Sequence, residues 1–75
     1  MLEVDFNEPK PRLKRSIMDT CAAFGPVRSV KVHRQQSPFA VIEMTDPAQT
    51  IELAGKFGGS TFGTSALIHL TPKSS

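Results

Sequence analysis

Ser37-Pro38-Phe39-Ala40-Val41-Ile42-Glu43-Met44 alternates so that Ala40, Ile42 and Met44 point to one side and Phe39, Val41 and Glu43 to the other. A period of two over a β-branched and aromatic run reads as a strand. One face then serves a core, and the other carries an aromatic that core packing does not require. Asp46-Pro47 follows directly, with an aspartate at the N-cap and a proline at the first helical position, so strand hands over to helix within two residues.

Upstream of this strand, Val27, Val30 and Val32 are interleaved with Arg28, Ser29, Lys31 and His33, which predicts a second strand. Arg34-Gln35-Gln36-Ser37-Pro38 is a polar connection short enough for a hairpin between the two. Before that, Leu13, Ile17, Cys21 and Phe24 step by four, four and three along one helical stripe. Pro11 is placed to open that helix, because its missing N–H would have been unpaired there anyway, and Gly25-Pro26 closes it. Leu2, Val4 and Phe6 alternate with Glu3, Asp5 and Asn7, predicting a strand over 2–6 with an acidic outer face.

Downstream, the second helix is predicted over 47–57, with Thr50, Leu53, Ala54 and Phe57 on one stripe and Gly58-Gly59 as its stop. Ser60 to Ser65 reads as a flexible loop holding Phe62, and Ala66 to Leu70 as the last strand. Its phase is open on pattern alone. Burying Ala66, Ile68 and Leu70 is favoured, because it places three apolar groups and no imidazole in the core.

Seventy-five residues bound the chain to a single domain, 1–75, with a core of about 2–72. The lone Cys21 allows no internal disulfide and no multi-cysteine metal site, and no apolar run approaches a membrane span. A soluble, intracellular, monomeric protein is the expectation, with cytoplasm and nucleus not distinguished. The net charge of +2 is uneven: residues 10–34 carry +6, from seven basic residues against Asp19, and the rest sums to −4. A basic middle attracts polyanions, although a solvated helix face and a charged edge strand account for the same layout.

The predicted order is strand, helix, strand, strand, helix, strand. This is α+β, the ferredoxin-like βαββαβ plan: a four-stranded antiparallel sheet in spatial order 4-1-3-2, both helices on one face and the other face open. Residues 2–6 are then expected to pair with 39–44.

In this register the chain resembles the RNA recognition motif (RRM) over Leu2 to about Pro72. Ser37 to Met44 is similar to the longer ribonucleoprotein motif, K/R-G-F/Y-G/A-F-V-x-F/Y, with Phe39 on its first aromatic, Ala40 on its small residue and Ile42 on its aliphatic. Phe24-Gly25-Pro26-Val27 and the run from Asp46-Pro47 to Gly59 look like the passages around the family's two helices. Departures fall at the stacking positions: Glu3 stands where an outward aromatic belongs, Val41 replaces a second, and Ser37 replaces the basic first residue.

The resemblance implies weak single-stranded RNA binding on the open face, through a substantially exposed Phe39 with Lys31, His33, Arg34 and Val41. Glu3 would project beside Val41 and oppose the nucleic acid. The alternative is an RRM-like protein-interaction module that has lost RNA binding, with Phe62 as an anchor. An enzyme is not expected. No cysteine pair or glycine-lined amide cradle is present, and Glu3, Asp5 and Glu43 on an open sheet would have no pocket to exclude water. No catalytic residue, metal ligand or cofactor is assigned, since His33 and His69 have no second ligand at metal spacing.

Overall fold

The computed structural model describes residues 1–73. The elements follow in the order β1 (Leu2–Val4), α1 (Lys10–Cys21), a 3₁₀ turn (Ala22–Phe24), β2 (Val27–His33), β3 (Phe39–Met44), α2 (Pro47–Phe57), β4 (Ser60–Phe62) and β5 (Ser65–Pro72). α2 forms where its cap and stripe place it, whereas α1 starts at Lys10 and stops at Cys21, short of Gly25-Pro26, which closes the 3₁₀ turn instead. Asp46 Oδ1 accepts from the Ala48 N–H at 2.9 Å, Pro47 opens α2, and Gly58 ends it at φ 70°, a left-handed conformation that glycine adopts without steric cost. α1 buries Leu13, Ile17 and Cys21, while Phe24 passes into the 3₁₀ turn and meets Phe57 edge to face at 6.1 Å between ring centroids.

The sheet is α+β in class but not ferredoxin-like, and here the sequence expectation is corrected. It has five strands, not four; its order is β1-β5-β3-β2, and β4 pairs with β5 off that path. Three ladders are antiparallel, and β1 runs parallel to β5. The expected pairing of residues 2–6 with 39–44 does not form. β5 takes the central place beside β3, with Ala40 opposite Ile68 and Ile42 opposite Ala66.

The cause lies in the lengths of the two competing strands. Asp5 Oδ1 accepts from the Asn7 N–H at 2.9 Å, and its carbonyl accepts from Glu8 N–H at 3.2 Å, so the backbone turns at once after Val4. Phe6 falls in that turn, and β1 keeps three residues. Eight-residue β5 can pair along all of β3 while offering its opposite edge, and that edge is shared end to end by β4, against 65–67, and β1, against 70–72.

Ser60–Phe62 forms a strand where a loop was expected. Gly63, at φ 62°, and Thr64 make a two-residue connection that folds β4 back on β5. Gly59 permits the approach: a Cβ there would collide with the Leu67 carbonyl oxygen. The buried hydroxyl of Thr50 donates to the Asp46 carbonyl at 2.9 Å and lies 3.2 Å from that of Thr64, tying α2 to this hairpin.

One face of the sheet supplies Leu2, Val4, Val30, Val32, Ala40, Ile42, Met44, Ala66, Ile68 and Leu70 to a single core with α1 and α2. The favoured phase of the last strand is therefore the one adopted. Because residues alternate along each strand, the remaining side chains point to the opposite face, against which no helix packs among the described residues.

Candidate nucleic-acid interface

The open face is organised in transverse rows by the strand registers. His33 pairs with Phe39 across β2–β3, and Phe39 with His69 across β3–β5, so one row reads His33, Phe39, His69. The next reads Lys31, Val41, Leu67 and Ser60, and the third Ser29, Glu43, Ser65 and Phe62. Neighbours in a row share a face, which is how residues distant in sequence converge.

Phe39 is half-buried, less exposed than the sequence suggested. The His33 imidazole lies on it, with ring centroids 4.6 Å apart and planes inclined by 19°. Stacking of this kind lays the imidazole over one face of the phenyl ring, so the two form one aromatic pair that bridges β2 and β3. His69 is exposed on the other flank of Phe39. Val41 and Leu67 are half-buried, and Lys31 is exposed beside Val41.

Electrostatics follow from the same registers. A β-bulge between Val27 and Ser29 makes Arg28 the extra residue of β2, and its Nε reaches Glu43 Oε1 at 3.7 Å. Arg28 is exposed and Glu43 partly so, and the pair contributes little stability, but it offsets the carboxylate nearest the centre of the face. Glu3 lies opposite Thr71 on the edge strand, with β5 standing between it and β3. The expectation that Glu3 projects beside Val41 is corrected. Leu67 and His69 occupy the flank of β3 that Glu3 and its neighbours were assigned.

Of the residues singled out by sequence, the structure brings Phe39, His33, Lys31 and Val41 onto one surface. Arg34 goes elsewhere. Its guanidinium donates to the Phe6 carbonyl and lies 6.0 Å from the Phe6 ring centroid, latching the β2–β3 hairpin to the turn after β1. These two residues border an open groove of about 460 Å³ at the end of the sheet, with Gln36, Pro38 and Pro72. His69 and Leu67 were missed as site residues, although the favoured phase of the last strand already placed both outward. What was lacking was the neighbour of β3.

Among the described residues, no three histidine, cysteine or acidic side chains gather as a metal site, and no helix is long and apolar enough to cross a membrane. Cys21 is fully buried among core residues, and burial pushes its thiol pKa up to about 11. No family model, curated protein or solved structure matches the chain.

Proposed function

We propose that this chain is a single-stranded RNA-binding module that uses the open face of its sheet, weakly and with a short footprint. The observation that carries the reading is the row His33, Phe39, His69, in which a phenyl ring stacked on one imidazole is flanked by a second. Planar rings on a solvated sheet are platforms for unpaired bases. Each base stacked is worth about 1–3 kcal/mol and needs no particular sequence. Lys31 stands one row away to meet a phosphate, and Arg28 offsets Glu43.

Placement of Glu3 at the sheet edge favours the reading, since a carboxylate beside Val41 would have repelled the strand. The RRM resemblance of Ser37–Met44 supports the reading through that one strand, while the sheet order withdraws the support the whole family plan would have lent. Few cations face the ligand, so affinity is modest and the salt dependence shallow.

The test is an amide-resolved NMR titration with a pool of short single-stranded RNAs. Shifts confined to residues 31–33, 39–43 and 65–69 are the expected result. No specific shift, together with capture of a protein partner that survives nuclease treatment and is lost in Phe62→Ala, would replace this reading with the protein-interaction module.

A further inference from the structure

The third row of the open face ends on an aromatic that the RNA-binding reading leaves unused. Phe62 is 65% exposed, on a strand that pairs it with Ser65, and Ser65 in turn pairs with Glu43. By register it therefore points to the same side as Phe39. A tight hairpin with glycine at its turn, tied to α2 through Thr50, fixes its position. An exposed phenylalanine on a rigid strand costs solubility and contributes nothing to the core.

Resting on the reading just given, we infer that Phe62 is a second stacking platform for the same RNA strand, which crosses the sheet diagonally from Phe39. Four residues along β3 and two strand spacings across the sheet separate the two rings by about 16 Å. A strand opened to about twice the 3.4 Å stacked rise spans that distance in two to three steps, giving a footprint of three to four nucleotides. Between the rings the path passes the half-buried Val41 and Leu67, an apolar saddle, with Lys31 beside Val41 on β2 for a phosphate. The diagonal also runs away from Glu3, which pairs with Thr71 near the opposite end of β5. RNA is the occupant indicated, because the path lies between two separated aromatic rings, with Lys31 beside Val41 and the bordering carboxylate, Glu43, paired with Arg28.

Length dependence separates this inference from the reading beneath it. Affinities of the parent, Phe39→Ala and Phe62→Ala are measured with a random pool of RNA hexanucleotides and a random pool of dinucleotides. Phe62→Ala is expected to weaken hexanucleotide binding about 5- to 150-fold and dinucleotide binding, which is too short to bridge the two rings, much less. Phe39→Ala weakens both. Phe62→Leu keeps an apolar side chain without a ring and is expected to match Phe62→Ala, whereas Phe62→Tyr is expected to match the parent. If Phe62→Leu binds hexanucleotides like the parent, or if Phe62→Ala weakens neither pool or both alike, Phe62 is no platform, and RNA binding at Phe39 stands without it. Failure of the parent to bind either pool overturns both.

Discussion

Phe39 faces His69 across the β3–β5 ladder, and the acidic Glu3 faces Thr71 at the sheet edge. This pairing removes the reason to expect tighter binding from an aromatic at residue 3. With β5 between them, a ring at that position cannot share a base with Phe39. Glu3→Tyr is therefore expected to change single-stranded RNA affinity by less than about 0.5 kcal/mol, within the range of ordinary surface substitutions. Binding isotherms of both proteins provide the check, and a gain of about 1–3 kcal/mol would mean that residue 3 lies next to β3 after all.

Phe39→Ala is expected to weaken RNA binding by about 1–3 kcal/mol while the protein stays folded. The core face of β3 is made by Ala40, Ile42 and Met44, which the substitution leaves in place. Amide dispersion reports the fold and titration reports the affinity. Parent-like binding by a folded Phe39→Ala would remove the stacking mechanism.

Lys31 is the free cation nearest the saddle. Lys31→Ala should weaken binding almost equally for all sequences and reduce the slope of log K against log salt by about 0.7, the loss of one phosphate contact to a single strand. A changed base preference with an unchanged slope would instead place Lys31 on a base edge.

Cys21 makes stability depend on alkaline pH. Its folded pKa of about 11 exceeds the value of 9.0 for a free thiol, so between these two the unfolded chain has released a proton that the folded chain still holds. Stability is full below pH 9, falls as pH rises, and levels off above 11, with a loss approaching about 2–3 kcal/mol. Denaturation midpoints of the parent and Cys21→Ala across this range give the measurement; the alanine variant should lack this component of the decline.

Much of this fold could be read locally, and the parts that could not are those decided by partners far along the chain. Asp46-Pro47, Gly25-Pro26 and the stripe of Leu13, Ile17 and Cys21 mark both helices because caps and period act over a few residues. The alternation of Ala66, Ile68 and Leu70 gave the correct phase of β5 for the same reason. Whether β1 or β5 lies beside β3 is different, since each alternates and the choice rests on which is long enough. Asp5 shortened one of them through a hydrogen bond that composition alone does not announce. β4 escaped notice because all three of its residues are exposed and bear no apolar pattern. At the site, Phe39, Lys31, His33 and Val41 were legible from β2 and β3, while His69 and Leu67 needed the sheet order and Arg34 needed its contact with Phe6.

Parallel pairing of β1 with β5 joins Leu2 to Leu70, the longest loop the sheet closes. The β2–β3 hairpin, α2 and β5 can assemble through contacts between near neighbours, so β1 is expected to dock last and to detach first. Hydrogen exchange should find its amides the least protected in the sheet. A detached β1 leaves one half of a β5 edge unpaired, and the strand that fits it best is the β1 of another molecule. Concentrated protein held under mildly destabilising conditions is thus disposed to exchange these three residues between copies, forming dimers that differ from the monomer only in whose strand completes the sheet.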